Sequence, residues 1–337
     1  MKPFLKSLIP WGLLIMLILG NLFWGSVDLS VSDVFMALRG ETPEGDVASF
    51  IVLQSRLPQM LTALLSGCAL AVSGLVMQTV FANPLADPSI LGVSSGAGLG
   101  AAVAMRFCGG SWMAGSFALS GYLLTVFSAF VGAMLVIFLL LTCSALLRDN
   151  LLLLVTGVMI SFATSSFVSL LSFFSTAEGV RSYVIWGLGD FSGVTLQRLP
   201  AYAIILVPAL LMVVMMAKPL NALLLGHDYA SNLGIRVGRV RTILLFLTGL
   251  LTATVTALCG PISFIGLAVP HVARLTLHTA NHRLLLPMTL VWGANVALLC
   301  NLLVHLPGDK GILPLNAITP LLGVPVVLYI LFRHRSV

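Results

Sequence analysis

Gly92-Val-Ser-Ser-Gly96 has the G-x-S-x-G spacing that can seat a serine nucleophile on a sharp turn. Acyl-transfer chemistry also needs a histidine and an acid to activate that serine, and no partnered His–Asp set accompanies it. His271 and His278 stand seven apart without an acidic companion, and H-E-x-x-H is absent. No G-x-x-x-x-G-K-[ST] phosphate loop occurs; no glycine is even followed by lysine. Cys68, Cys108, Cys143, Cys259 and Cys300 form no C-x-x-C pair, so no zinc or disulfide framework is indicated. The expectation is a chain that is not an enzyme and holds no cofactor or metal of its own.

Two other polar sets remain. Leu223 to Arg241 form a basic island in which Asp228, Ala230 and Gly234 keep a D-x-A-x-x-x-G spacing. That spacing predicts one short helix closed by a glycine cap. It reads either as a docking surface for a soluble partner or as a solvated loop held by its arginines. The second set is Ser161, Ser165, Ser169 and Ser172, with Thr164 on the flank. At 100° per residue the serines share one helix face about 80° wide. Small hydroxyls allow close helix packing or line a path that a large substrate slides past.

The elements that position these residues are membrane helices. Hydrophobic residues make up 59% of the chain and charged residues 8%, with a mean hydropathy of +1.09. A soluble domain carries about 25% charge, so this composition cannot cover a water-facing surface. A bilayer core of roughly 30 Å takes about 20 apolar residues per helix. The runs at 8–25, 58–81, 89–106, 116–142, 151–174, 200–217, 242–260, 262–278, 284–304 and 314–332 give an all-α polytopic protein of about ten spans. The polar stretch near 26–56 reads as a loop. The whole of 1–337 is expected as one transmembrane domain, with 218–241 a cytoplasmic segment inside it.

Ten spans with both termini cytoplasmic put Lys2, Lys6, Arg148, Lys218, Arg236, Arg239, Arg241, Arg274, Arg283, Arg333 and Arg335 inside, against six basic residues outside. That asymmetry follows the positive-inside rule. The formal charge of +6 is therefore a topology signal and not a sign of nucleic-acid binding. Ion-coupled carriers place ionisable groups at mid-membrane, and these spans are almost free of them. A secondary transporter working without an ATPase stays as the alternative reading.

Residues 82–100 and 260–274 break the apolar pattern with prolines and glycines. They occupy matching places if spans 2–5 and 7–10 are inverted repeats. Arg56-Leu-Pro, Gly67-x-x-Leu-Ala-Val-Ser-Gly74 with Gln78, Asn83-Pro-Leu-Ala-Asp-Pro, Leu91-Gly-Val, Gly260-Pro-Ile-Ser-Phe-Ile-Gly-Leu, Pro270-His-x-x-Arg274 and Thr319-x-x-x-Gly323-x-Pro325 follow in order. Together they closely resemble the FecCD-type permeases of bacterial ABC importers for iron-siderophores, haem and vitamin B12.

The resemblance implies a ten-helix permease subunit in the bacterial inner membrane, surrounded by lipid. It implies pairing with a second permease, often an identical copy, with two cytoplasmic ATPases carrying ATP and Mg, and a periplasmic binding protein. Gly226 to Gly234 then match the segment that seats in the ATPase, so Gly226, Asp228, Ala230 and Gly234 are its coupling residues. Arg56 matches a periplasmic arginine that docks the binding protein; Gln59 stands where some members carry a second one. The serine stripe, Thr164 included, becomes a pathway lining, and Asp149 with Asn150 match the cytoplasmic gate. The implied cargo is a bulky metal chelate, ferric siderophore first, then haem or cobalamin. Asn301-Leu-Leu-Val-His305 and Leu313-Pro-Leu-Asn316 depart from the family pattern.

Overall fold

The computed structural model describes residues 3–41, 46–107, 111–114, 117–147, 149–308 and 311–334. Lys2, Cys108, Arg148, Lys310 and Arg335 lie outside them. In chain order the helices are α1 (Pro3–Phe23), α2 (Val31–Arg39), α3 (Val47–Phe50), a π-helical turn (Ile51–Arg56), α4 (Leu57–Val80), α5 (Val93–Phe107), α6 (Gly121–Leu146), α7 (Asn150–Phe173), α8 (Ala177–Gly187), α9 (Leu199–Met215), α10 (Ala217–Leu223), α11 (His227–Asn232), α12 (Val237–Cys259), α13 (Ile265–Leu277), α14 (His282–Val304) and α15 (Leu315–His334). Each of the ten apolar runs coincides with one of α1, α4, α5, α6, α7, α9, α12, α13, α14 and α15. Among the described residues, five helices are long and apolar enough to cross a bilayer, and α9 with α10 passes as a sixth bent by 54°. Leu8–Phe23, Ile265–Leu277 and Leu315–Tyr329 are shorter apolar helices.

Two expectations change. A short antiparallel pair, Ser111–Ala114 with Phe117–Ser120, precedes α6 in the register Ser111↔Ser120. Residues 117–120 are taken up in that pair, so the span opens at Gly121 rather than at 116. Within the stretch near 26–56, read as a loop, Val31–Arg39 and Val47–Phe50 with Ile51–Arg56 are helical. Ser30 caps α2 by accepting from the Asp33 N–H at 3.2 Å, and Gly40 closes it at φ +71°. Asp46 caps α3 in the same way through the Ser49 N–H. Val34 and Ala37 of α2 bury one face against Val52, which gives this short helix its own apolar anchor.

The described chain forms two compact units: Met1–Val72 with Asp190–Pro208 and Ile262–Val337, and Ser73–Gly189 with Ala209–Pro261. In the first, α4 and α14 meet at Gly67 and Gly293, where a Cβ on either would overlap the other's carbonyl oxygen. Water cannot drive apolar helices together in lipid, so contact this close supplies van der Waals energy instead. Buried amides join α1 to α14: Asn21 donates to the Leu17 and Leu298 carbonyls at 2.8 and 3.1 Å, and accepts from Asn301 at 2.8 Å. In the second unit, Ala97 and Ala101 of α5, Ala129 and Ala133 of α6, and Ala253 and Ala257 of α12 form a small-residue core.

The proline- and glycine-rich breaks are built, not frayed. Asn83 Oδ1 accepts from the Leu85 N–H at 2.9 Å, and buried Asp87 accepts from the Ser89 N–H at 2.8 Å. These two side chains supply the turns that the prolines deny the backbone. Phe264 opens α13 at φ +69°, a conformation costly for a bulky residue. Asn316 accepts from the Ser263 N–H at 3.3 Å, and Gly323 leaves room for the Phe264 side chain. The motif glycine at 323 thus has a packing reason.

Candidate functional site

The basic island folds as its spacing predicts. Gly226 turns the chain at φ +102° and α11 follows. Ile235 donates to the Ala230 carbonyl at 3.1 Å and Gly234, at φ +78°, donates to the Ser231 carbonyl at 2.9 Å. That pair of bonds is a Schellman closure with glycine at its left-handed position. Asp228 lies exposed in the first turn, where an acid favours the helix dipole. Ala230 is fully buried at 0% exposure, so it is the side chain that seats the helix. Each residue of the D-x-A-x-x-x-G spacing therefore has a separate structural task.

One feature of this segment escaped the sequence reading. Leu225, Tyr229 and Leu233 are 62%, 52% and 59% exposed and recur every four residues. They put an apolar ridge on a polar segment. In a chain this apolar, three more hydrophobic residues give no signal; only their spacing relative to buried Ala230 could have marked them.

The hydroxyl stripe of α7 divides. Ser161 donates to the Ile90 carbonyl at 3.2 Å and to Gly157 at 3.1 Å, against the turn at Gly92. Thr164 is buried and donates to Ile160 and Ser161 carbonyls at 2.9 and 3.0 Å. Both hydroxyls are engaged by carbonyls of the chain itself. Ser165 and Ser169 are exposed and Ser172 is half-buried, with the Ser169 hydroxyl turned back to the Ser165 carbonyl at 3.0 Å. Only 17% of the apolar window of α7 is buried by its own chain. Lipid or a second subunit must cover the rest.

Arg56 does not present its charge outward. It is 6% exposed, and Nη1 donates to the Leu22 and Phe23 carbonyls at 2.9 and 3.0 Å while Nη2 donates to Val27. Those acceptors are the orphan carbonyls at and beyond the end of α1. Arg56 thus caps the end of α1 and ties it to the π-helical turn. Beside it a polar cavity of about 40 Å³ is lined by Asn21, Gln59, Asn301 and His305 among others. Burial pushes the His305 imidazole below its usual range; Asp190 pulls it back and Arg56 pushes it further down.

Asp149 and Asn150 begin α7. Asp149 is its N-cap, accepting from the Leu151 N–H at 2.8 Å. Asn150 is the first helical residue. Among the described residues, no group of three or more His, Cys, Asp or Glu side chains comes together as a metal site.

A model of the FecCD transport family matches residues 13–333. The vitamin B12 import system permease protein BtuC of Klebsiella pneumoniae is 37% identical over 285 residues, covering 85% of this chain and 83% of that protein. The same-named protein of Shigella boydii is 35% identical over 326 residues, covering 96% and 93%. A solved structure described as an inward-facing conformation of a metal-chelate type ABC transporter superposes with a TM-score of 0.84 at 30% identity, covering 98% of this chain and 100% of that one.

Proposed function

The chain belongs to the FecCD transport family and is a multi-pass permease of the ABC importer class for metal chelates, and from that premise we propose how it works and what it carries. It sits in the inner membrane with both termini cytoplasmic. It pairs with a second copy of itself, takes energy from two ATPase subunits that bind ATP and Mg, and receives cargo from a periplasmic binding protein. The cargo is a corrinoid of the vitamin B12 type. Ferric siderophore, the first expectation from the resemblance, moves behind it because relatives at 35–37% identity over 85% and 96% of this chain carry the vitamin B12 name.

The observation that supports the coupling role best is α11. A six-residue helix closed at both ends, seated by Ala230 and carrying Tyr229 outward, with exposed Leu225 before it and Leu233 at its C-cap, has the form of a plug for a groove. Apolar ridges of this kind on otherwise polar segments mark protein contacts. Closure of the ATPases would pass through this plug as a rigid-body shift of the spans on either side. Ser165 and Ser169 are the part of the stripe left free to face cargo between two copies.

Reconstitution with the ATPase and the binding protein in proteoliposomes tests the reading. ATP-dependent uptake of labelled cyanocobalamin, with little uptake of a ferric siderophore, is expected. Uptake by the chain alone on an ion gradient would instead establish a secondary carrier. ATP-dependent uptake of the siderophore only would overturn the corrinoid assignment and keep the importer.

A further inference from the structure

The ends of α6 and α12 border an open cavity of about 620 Å³ that the transport reading leaves unused. Its polar lining includes Gly238, Arg239, Arg241 and Thr242, and no acid is among the lining residues. Arg241 is only 6% exposed, and its Nε and Nη2 have no hydrogen-bond partner. A buried guanidinium without a partner is costly, so something must satisfy it. Asp149 is the acid whose field reaches it, yet that carboxylate is exposed and engaged as the cap of α7.

A second positive source converges on the same space. Val237, Gly238 and Arg239 are the first turn of α12, whose opening residue Arg236 makes no side-chain cap. The Val237 N–H already donates to the Ile235 carbonyl at 2.9 Å, so the donors left are the Gly238 and Arg239 amides, which lack intrahelical acceptors and gain from the positive end of the helix dipole. Donors of this kind beside an arginine fork match a phosphate. The remaining walls include Leu147, Val237 and Ile243. An anion with an apolar tail fits those walls better than a free one, and the cavity lies where two membrane spans end, at headgroup depth.

We propose that this cleft binds the headgroup phosphate of an anionic phospholipid, with Arg241 and the opening turn of α12 as its ligands. A bound lipid would brace the start of α12 immediately after the α11 segment. Membrane composition would then tune how firmly that segment is held.

The test is native mass spectrometry of the detergent-solubilised full chain with phosphatidylglycerol, phosphatidylcholine of the same chain length, and inorganic phosphate. Two variants accompany it, Arg241→Gln and Gly238→Asp. A Cβ at Gly238 meets nothing within 4 Å, and an acid at a helix start favours the helix. Gly238→Asp therefore places a negative charge in the cleft while keeping the fold. Phosphatidylglycerol should be retained over phosphatidylcholine, and each variant should weaken that retention about tenfold. Equal retention of the two lipids, or unchanged phosphatidylglycerol retention in both variants, would overturn the proposal. Retention of inorganic phosphate with no retention of phosphatidylglycerol would assign the site to a free anion and overturn the lipid.

Discussion

Replacing Gly234 with alanine tests the coupling segment through a single methyl group. A Cβ there meets nothing within 4 Å, so the cost is conformational and not steric. At φ +78° an L-residue pays about 1–2 kcal/mol. α11 spans only His227–Asn232, too short to hold itself together without its closure. The penalty therefore falls on the population of the closed, docking-competent segment, reducing it by up to about 5- to 30-fold at RT of roughly 0.6 kcal/mol. Titration of the ATPase onto the permease in nanodiscs should show that loss of affinity, and ATP-driven uptake should fall with it. Thermal unfolding of the spans should barely move, because Gly234 packs against no other element. Asparagine tolerates the left-handed region, so Gly234→Asn should recover most of the affinity. Wild-type association by Gly234→Ala would refute the reasoning. Equal damage from Gly234→Asn would refute it too, by showing that handedness is not what matters.

Leu225→Asp with Leu233→Asp should abolish ATPase association while leaving the chain folded; retained association in a pull-down would show that the ridge is not the contact. Arg56→Ala should lower thermal stability by about 2–4 kcal/mol, since three carbonyls lose a charged donor. If stability holds and only binding-protein association falls, the arginine docks the partner after all. His305 supplies a pH test. Its depressed pKa means that the unfolded chain takes up a proton first as pH falls below the ordinary histidine value of about 6.5. Stability should drop as pH falls below about 6.5, and His305→Gln should flatten that slope in thermal scans; an unchanged slope would acquit this histidine. Gly67→Val should prevent accumulation of folded protein in the membrane, because its Cβ would meet the Gly293 backbone. Normal expression and monodisperse purification of that variant would contradict the close approach.

The linear pattern was enough for the ten apolar helices, because 20-residue hydrophobicity is a local property that the bilayer reads directly. The glycine-closed helix at 227–232 was equally legible, since a Schellman closure needs only the residues it joins. The roles of individual polar residues were not. Whether Arg56 reaches outward or back to Leu22 depends on where α1 ends in space. Whether Ser161 and Ser169 do the same work depends on which part of α7 meets the turn at Ile90. That Asp149 caps α7 emerges only once the Leu151 amide is found beside it. The helix at 31–39 was hidden because its anchor, Val34 and Ala37 on Val52, is a contact between segments and leaves little trace in a nine-residue stretch. Sequence determined which segments enter the membrane and where the chain turns; only the tertiary structure decided which polar groups are consumed in holding it together. A side chain's hydrogen-bonding capacity is small, and its neighbours in space claim it before any ligand can.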